Sequence, residues 1–373
     1  MSKLEELLQG VDVEWKAIND IIKVITAPCK VKKEIYKPIG KTPIIDQGKE
    51  YIAGYTDENF ETVIADEYIL FGDHSEHIKY VNFSFIQGAD GLKILKIKKD
   101  FPKYIYYCFL NFYNKEYSYK RHWTNAKNTL IPIPCPDNPE KSLEIQQEIV
   151  RVLDELTSLT NQLTTELETE RQNRKKQFEF FREQLFRFEE GDVEWKKLGE
   201  IFNMKAGKHI SSNNISKISN SEYRFPCFGG NGIRGYVKSK NESGNYVLIG
   251  RQGALCGNVK RYNGDFYATE HAVVVKPIYK INIEFSYYLL LLMNLNQYAS
   301  KSAQPGLAVG KLESLKVAIP PLEEQERIVK LLDQFDATHT AIEEEITKEI
   351  KLRTQQYEYY REKLLSFPSL RTT

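Results

Sequence analysis

The sequence has no long apolar run and little material for a covalent or metal-based framework. The longest purely apolar stretch lies near Tyr287 to Met293, far short of the roughly 20 residues that a membrane-spanning helix needs. The five cysteines are scattered and form no C-x-x-C pair, which argues against a disulfide framework and a cysteine zinc site. The opening MSKLEELLQG lacks the apolar core of a secretory signal. These absences predict a soluble, cytoplasmic protein.

Net charge is almost absent from the chain as a whole but unevenly distributed along it. The 373 residues carry 52 Lys and Arg against 51 Asp and Glu, a formal net charge of +1. Residues 192–318 hold 17 basic against 9 acidic residues, and residues 12–140 hold 18 of each. Segments 141–191 and 319–373 each hold 8 basic against 11 acidic residues. The basic second region indicates a polyanionic partner, whereas the neutral first region argues against simple phosphate binding by the isolated chain.

An internal repeat is the strongest signal in the sequence. The run Asp12–Lys16 (DVEWK) recurs as Asp192–Lys196, and 146–154 (QQEIVRVLD) recurs as 325–333 (QERIVKLLD). The second match continues for about 40 residues without a gap, as expected of helices, because one insertion would rotate the apolar stripe by about 100°. We therefore predict two copies of one unit, a globular domain followed by a long helix.

The globular parts repeat more loosely, with loops of different length. Tyr68–Gly72 resembles Tyr246–Gly250, and Tyr106-Tyr107 falls on Tyr287-Tyr288. The two domains are thus expected to share a mixed α and β fold, each a twisted sheet with a few helices, while displaying different residues. Because the aromatic stretch around Tyr106 matches an aliphatic stretch in the second copy, it predicts a core helix rather than a surface for base stacking.

The segments between and after the domains predict long helices. Residues 142–188 contain neither proline nor glycine and span about 70 Å as a helix. Apolar residues at alternating spacings of four and three form a coiled-coil seam, namely Ile145, Ile149, Val152, Leu156, Leu159 and Leu163. Such a helix needs a partner, either the second copy in an antiparallel pair with a pseudo-twofold axis or a second chain. The aromatic residues near both helix ends suggest docking of a further helical partner.

This organisation predicts four consecutive segments. They are a first globular domain with the N-terminal segment (1–141), a central long helix (142–190), a second globular domain (191–320) and a C-terminal long helix (321–373).

Two short patterns imitate catalytic or metal sites. Asp12, Glu14 and Lys16 resemble half of a nuclease site, but the further upstream acid is not evident, and the recurrence of the pattern in both copies favours a structural tryptophan anchor. His74 and His77 are spaced like metal ligands, but no third ligand can be named. We predict neither nuclease chemistry nor a bound metal.

A proline-rich strand end running into a helix carries a family resemblance. Ile319–Val329, with the sequence IPPLEEQERIV, resembles the junction between a target recognition domain and a conserved helix in the specificity subunits of type I restriction-modification enzymes. Ile133–Ile149 resembles a degraded copy of it. Gly229–His271 is similar to the second recognition domain of many members. Phe71–His74 followed by Gly88–Gly91 resembles a different recognition-domain type at the first position.

The resemblance implies a non-catalytic subunit that recognises double-stranded DNA. Each domain would read one half of a bipartite site, while the helices, as an antiparallel coiled coil, would set the spacer and dock two methyltransferase subunits. S-adenosylmethionine, ATP and magnesium would belong to partner subunits, which could include restriction subunits. Consistent with this role, the sequence has no Asn/Asp-Pro-Pro-aromatic motif and no G-x-x-x-x-G-K-[ST] loop. A protein scaffold with two divergent binding domains is the alternative.

Candidate DNA contacts are polar and basic residues in segments expected to be loops. Arginine and lysine pair with guanine or phosphate, and glutamine pairs with adenine. The second domain offers Lys208, Arg234, Lys238, Arg251, Gln252, Lys260, Arg261 and His271, with Arg251 and Gln252 preferred for base readout. The first domain offers Lys32, Lys33, His74 and Lys79, besides Lys49, Lys120 and Arg121. At least half of such contacts go to the DNA backbone, so each residue is more readily a phosphate contact or a solvated charge than a base reader.

Overall fold

The chain divides into two compact units. The computed structural model describes residues 8, 10–253, 255–301 and 305–367. The first unit comprises Met1–Leu167 and Lys348–Thr373, and the second comprises Glu168–Thr347. Each unit therefore contains one globular domain and a part of each long helix.

The first domain consists of short strands with a few helices. Its strands are β1 (Val13–Ala17), β2 (Ile22–Ile25), β3 (Thr42–Ile45), β4 (Gly54–Thr56), β5 (Tyr68–Gly72), β6 (Ile78–Val81), β7 (Ile86–Gln87), β8 (Leu92–Ile97) and β9 (Leu130–Pro134). Its helices are α1 (Ile18–Ile21), α2 (Pro102–Phe112) and α3 (Trp123–Ala126), with a 3₁₀ turn at Lys33–Ile35. The strands form a four-stranded sheet in the order β2-β8-β5-β6, a three-stranded sheet in the order β4-β3-β7, and a ribbon of β1 with β9.

Helix α2 covers the four-stranded sheet and forms the centre of the core. Tyr104, Tyr107 and Phe109 are buried there together with Phe71 of β5. The prediction that this aromatic stretch is a core helix is confirmed. Its N-terminus carries Pro102 at the first helical turn, where a missing N–H costs no helical hydrogen bond.

The second domain is built around one larger sheet. Its strands are β10 (Glu194–Lys197), β11 (Phe202–Ala206), β12 (Phe225–Gly229), β13 (Gly232–Val237), β14 (Glu242–Gly250), β15 (Val259–Ala268), β16 (Ala272–Pro277) and β17 (Lys316–Ile319). Its helices are α5 (Leu198–Ile201), α6 (Ile283–Leu292) and α7 (Val309–Glu313), with 3₁₀ turns at Ser212–Asn214 and Leu295–Tyr298. The long helix that precedes this domain is α4 (Pro139–Leu185). The six-stranded sheet has the order β11-β16-β14-β15-β12-β13, and β10 pairs with β17.

The repeated DVEWK run forms the same structure in both units. In the first, Glu14 lies opposite Ile133 in an antiparallel ribbon, and in the second, Glu194 lies opposite Ile319. The shared fold predicted from the repeat is confirmed. Trp195 is 67% exposed and is not a buried anchor, whereas Trp15 is 45% exposed and packs edge-on against Phe112 of α2 with ring centroids 5.2 Å apart. The ribbon depends on strand pairing instead.

The two long helices are α4, Pro139–Leu185, and α8, Leu322–Leu365. In the second unit, contacts run in opposite directions along them. Arg171 of α4 pairs with Glu343 of α8 at 2.6 Å, and further along α4 the Phe181 ring stacks on Phe335 of α8 at a centroid distance of 5.5 Å. In the first unit, the Thr157 hydroxyl of α4 donates to the Tyr357 hydroxyl at 3.1 Å. The predicted antiparallel pairing is thus formed within the chain.

The seam differs in detail from the prediction. Ile145 and Ile149 are buried in the core of the first domain, and Leu159 is 63% exposed. The first turns of α4 therefore pack on their own domain rather than on the other long helix. A heptad pattern identifies the apolar face of a helix. It does not distinguish a face that packs on a domain core from one that packs on a coiled-coil partner, because both require the same apolar residues.

The aromatic residues after the helix ends also pack within the chain. Phe186 stacks on Phe285 of α6 at a centroid distance of 5.2 Å, and Phe188 packs against the same core. Phe367 is buried in the core of the first unit. Phe367 is therefore not available to a further helical partner in this structure, whereas docking at Phe186 and Phe188, which are partly exposed, stays a prediction.

Candidate nucleic-acid interface

Three loops of the second domain surround an open cavity of about 530 Å³. They are the β12–β13 turn, the loop after β14 and the loop between β15 and β16. Arg234, Gln252 and His271 all line the cavity, so the structure brings together three of the predicted contact residues from distant parts of the sequence. Pockets of this kind with convergent polar groups are default candidates for binding sites.

Glycine is required where these loops approach each other. A Cβ added to Gly250 would lie 1.9 Å from the Gly230 carbonyl oxygen, and one added to Gly230 would lie 2.6 Å from the Gln252 carbonyl oxygen. Backbone hydrogen bonds hold the loops in this arrangement: the Arg251 N–H donates to the His271 carbonyl at 2.8 Å, and the Leu307 N–H donates to the Arg251 carbonyl at 2.8 Å. The cavity wall is therefore mainly closely packed backbone, from which the polar side chains project.

A carboxylate that the sequence analysis did not select lies beside the cavity. The Glu270 carboxylate is 2.9 Å from Nδ1 of His209 and 3.3 Å from Nε2 of His271. Partial burial raises the pKa of Glu270, but the hydrogen bond with His209 and the nearby His271 outweigh burial, and the pKa lies below its ordinary value. Glu270 is thus an ionised acceptor, the group that suits the N4 amino group of cytosine. The sequence signal that could have indicated Glu270 is its position directly before His271, a predicted contact residue.

The remaining candidates of this domain divide into exposed and engaged residues. Lys208 is exposed, and the aliphatic part of Lys260 lies next to Gly232 of the cavity wall. Lys238 forms an ion pair with Glu222 at 2.6 Å. Arg261 bonds Glu284 and lies 3.5 Å from Asp333 of α8, so its charge is directed to the long helix and not to the cavity.

In the first domain, loops that are distant in sequence meet around His74. The His74 N–H donates to Gln47 Oε1 at 3.0 Å, and the Asp73 N–H donates to the Gly91 carbonyl at 2.6 Å. The two motifs that resembled a distinct recognition-domain type, around Asp73 and around Gly91, are therefore neighbours. The His74 ring stacks on Tyr119 with centroids 5.4 Å apart and planes inclined by 24°.

The stacked Tyr119 belongs to an exposed segment, 114–121, that also carries Lys120 and Arg121. Tyr119 is 92% exposed and Tyr117 is 88% exposed, so the segment presents two aromatic rings to solvent. Tyr119 was not selected from the sequence, because tyrosines in a short polar stretch are equally compatible with core contacts. Alternating aromatic and basic residues are suited to stacking on bases and pairing with phosphates.

A buried carboxylate orders this segment. Glu76 accepts hydrogen bonds from the Tyr113 hydroxyl at 2.7 Å and from the backbone N–H groups of Glu116 and Tyr117 at 2.8 Å each. His122, also buried, lies with Nδ1 3.4 Å from the same carboxylate. Burial raises the pKa of Glu76, but these hydrogen bonds outweigh burial, and the pKa is lowered overall. Glu76 is therefore a charged anchor beneath the exposed segment.

The other candidates of the first domain lie in different surroundings. Lys32 and Lys33 are exposed at the 3₁₀ turn between β2 and β3. Lys79 is buried, and its ammonium group donates to the carbonyl oxygens of Asp46 at 2.9 Å and Glu50 at 2.5 Å. Burial lowers the pKa of Lys79. The ammonium group thus holds the β3–β4 loop against strand β6, and it is not available to DNA in this structure.

Two features are absent from the part of the chain that the structure describes. No helix there is both long and apolar enough to cross a bilayer. No group of three or more His, Cys, Asp or Glu side chains there is arranged to hold a metal ion.

Comparison with known proteins identifies the family. The profile of the type I restriction modification DNA specificity domain matches residues 10–170 and again residues 190–352. The chain belongs to this family. The two matches follow the internal repeat, and membership in the specificity family confirms the predicted role of a non-catalytic DNA-recognition subunit.

Individual relatives of the specificity family cover nearly the whole chain. The specificity subunit of the type I restriction enzyme EcoprrI of Escherichia coli is 43% identical over 377 residues, 92% of each chain. That of EcoR124I/EcoR124II, also of Escherichia coli, is 34% identical over 415 residues, 100% of this chain and 98% of the relative. A solved structure described as "Structural basis underlying complex assembly and conformational transition of the type I R-M system" aligns with a TM-score of 0.70 at 16% identity. It covers 95% of this chain and 97% of its own, and at that identity the likeness concerns the fold alone.

Proposed function

We propose that this specificity subunit reads two unlike halves of a bipartite site in double-stranded DNA, one half with each globular domain. The observation that supports the proposal is the combination of a repeated framework with different loops. Both domains carry the same strand ribbon in the same register, yet the first offers a segment of aromatic and basic residues and the second a polar cavity. Different loops on one framework recognise different sequences, because base readout depends on side chains at loop positions.

In the second domain the proposed contacts are the residues around the cavity. Arg234 and Arg251 are suited to guanine or phosphate, Gln252 to adenine, and Glu270 to the amino group of cytosine. Lys208 and Lys260 are proposed as phosphate contacts. Arg261 is left out because Glu284 and Asp333 already engage its charge.

In the first domain the proposed contacts are His74, Tyr119, Lys120 and Arg121, with Lys32 and Lys33 as phosphate contacts. Lys79 is left out because it is buried and bonded to backbone carbonyls. The first domain has no excess of basic residues, whereas residues 192–318 have 17 against 9. We therefore expect the first domain to depend more strongly on partner subunits to hold its half-site.

The long helices are proposed to set the spacer and to dock two methyltransferase subunits. Exposed aromatic residues at equivalent positions of the repeat, Phe180 on α4 and Tyr359 on α8, support docking of two copies of the same partner. S-adenosylmethionine, ATP and magnesium are expected on the partner subunits, restriction subunits among them. The cytoplasmic location expected from the sequence stays a prediction.

The test is methylation by the complex of this chain with its methyltransferase subunits. Methylated adenines are mapped on a DNA library for the wild type and for the variants Gln252→Ala and Tyr119→Ala. We expect Gln252→Ala to relax base preference in one half-site only and Tyr119→Ala to weaken recognition of the other half-site only. One lost base contact corresponds to about 1–3 kcal/mol of discrimination.

Lys240→Ala is the matched control, because Lys240 is exposed on the same domain and pairs with Asp265 at 2.8 Å. It should leave both half-sites unchanged. If the wild-type complex methylates without a bipartite consensus, or if both variants affect the same half-site, the proposal is wrong. DNA-independent assembly with unrelated proteins would favour the scaffold alternative.

A further inference from the structure

Each long helix carries, near its N-terminal end, a buried glutamine that is bonded to the preceding globular domain. Gln146 of α4 is 0% exposed and Gln325 of α8 is 1% exposed. A buried side-chain amide is costly unless its hydrogen-bonding groups are satisfied. The Gln146 Oε1 accepts from the Phe101 N–H at 2.8 Å, and the Gln325 Oε1 accepts from the Asn282 N–H at 2.9 Å.

The two acceptor bonds are equivalent. Phe101 and Asn282 are the residues that precede the domain helices α2 and α6. The amide nitrogens complete the arrangement, since that of Gln146 donates to Asp100 at 3.0 Å and that of Gln325 donates to the Pro320 carbonyl at 2.8 Å. In both units, one side chain of the long helix thus holds the N-terminal end of the domain helix.

A second contact joins the same pair of helices about two turns further along. The Tyr107 hydroxyl of α2 donates to Asp154 of α4 at 2.7 Å, and the Tyr288 hydroxyl of α6 donates to Asp333 of α8 at 2.7 Å. Burial, together with the neighbouring carboxylate, raises the pKa of each tyrosine, so both hydroxyls remain protonated donors. The glutamine and the aspartate are eight residues apart in each helix, about 12 Å along its axis.

Two directional bonds separated along a helix restrict tilt and rotation in a way that apolar packing does not. Apolar contact is non-directional, whereas hydrogen bonds weaken steeply away from their preferred geometry. The side contacts differ between the units. Lys103 supports Asp154 at 2.7 Å in the first, and Arg261 lies 3.5 Å from Asp333 in the second. What the two units share is the glutamine, the tyrosine and the aspartate.

We propose that these paired contacts, the Gln–Tyr–Asp latches, are positioning devices that hold each recognition domain at a fixed angle to its long helix and thereby set the accepted spacer length. This inference rests on the proposed function. A domain surface ~30 Å from the junction moves by ~3.4 Å, one base-pair step, for a rotation of only about 7°. Spacer discrimination therefore requires a junction that is stiff within a few degrees, and the latches supply that stiffness.

The test compares Asp154→Leu with Asp154→Asn in the complete complex with methyltransferase subunits. The substrates carry both native half-sites with the native spacer or with a spacer one base pair longer or shorter. The leucine removes the acceptor, whereas the asparagine oxygen still accepts from Tyr107. We expect Asp154→Leu to raise methylation of the altered spacers relative to the native spacer by about three- to tenfold, the size that corresponds to one lost hydrogen bond. Base preference within each half-site should stay unchanged, and Asp154→Asn should retain the spacer preference.

Asp333→Leu and Asp333→Asn repeat the comparison in the second unit. The Tyr288 hydroxyl there has a second acceptor, Asp336 at 3.1 Å, so a smaller change in spacer preference is expected. Tyr107→Phe, which deletes only the hydroxyl, serves where the leucine variant fails to fold, as judged from its thermal transition. Uniform loss of methylation on all spacers, or altered base preference with spacer preference intact, would overturn the inference. A wild-type complex without any spacer preference would instead refute the proposed function, so the two failures are distinguishable.

Discussion

Replacing the buried anchor of the first domain, Glu76→Gln, tests how the exposed segment 114–121 is held. Glu76 accepts three hydrogen bonds, two at Oε1 and one at Oε2. A glutamine presents one oxygen and one NH₂ group, so at least one of the three donors meets another donor. Hydrogen bonds to charged groups contribute about 1.5–3 kcal/mol, and an orphaned buried donor costs about 1–3 kcal/mol. We expect Glu76→Gln to lower the free energy of unfolding at neutral pH by about 2–4 kcal/mol.

The pH dependence gives a second, independent check. The pKa of Glu76 in the folded protein is lowered from its ordinary value of 4.5. The carboxylate therefore stabilises the fold fully above that value, and this contribution is lost as the pH falls through the lower folded value. The stability difference between wild type and Glu76→Gln, measured by urea unfolding, should be constant near neutral pH and shrink below about pH 4.5.

Glu61→Gln is the matched control, because Glu61 is an exposed carboxylate of the same domain. Its effect should stay within about 0.5 kcal/mol. In the methylating complex, Glu76→Gln should weaken one half-site only, the same half-site that Tyr119→Ala affects. A Glu76→Gln effect below about 0.5 kcal/mol at neutral pH, or a difference that grows on acidification, would refute the anchoring argument.

Two further predictions concern the cavity wall and the helix surface. Gly250→Ala should destabilise the protein by about 1–3 kcal/mol in urea unfolding, since the added Cβ would meet the Gly230 carbonyl oxygen at 1.9 Å. Gly310→Ala, in helix α7 with open space around it, should stabilise the protein by about 0.5–1 kcal/mol. Equal effects of the two substitutions on the free energy of unfolding would contradict the steric account. The double variant Phe180→Ala and Tyr359→Ala should weaken co-purification with methyltransferase subunits without changing the thermal transition, and unchanged assembly would exclude these aromatics from the docking surface.

Sequence reasoning predicted the framework because its signals are local. The repeated DVEWK run and the junction before each helix specify one ribbon twice, and the absence of proline and glycine from 142–188 specifies a long helix. The core helix around Tyr104 was equally accessible, since its counterpart in the second copy is aliphatic. Such patterns depend on neighbours three or four residues apart, and no knowledge of distant contacts is needed.

The surface that covers each apolar helix face could not be predicted from the sequence in the same way. Ile145 satisfies the coiled-coil heptad, yet it packs into the core of its own domain. Phe186 similarly stacks on Phe285 of the second domain. Burial of apolar area is favourable against any apolar surface, so periodicity indicates that a face is covered but not which surface covers it.

The sequence by itself determined the duplicated organisation of this protein. It indicated two domains of one fold with unequal net charge, two long helices and a family-specific junction between domain and helix. Only the tertiary structure decided which polar residues are available to DNA. Lys79 donates to the carbonyls of Asp46 and Glu50, and Arg261 lies beside Asp333, which is 72 residues away in the sequence. Both are residue types that commonly contact DNA. Gln252 and His271, by contrast, line one cavity. The reason is that a charged group's role depends on partners brought together by folding, whereas its identity in the sequence says only what it is able to bind.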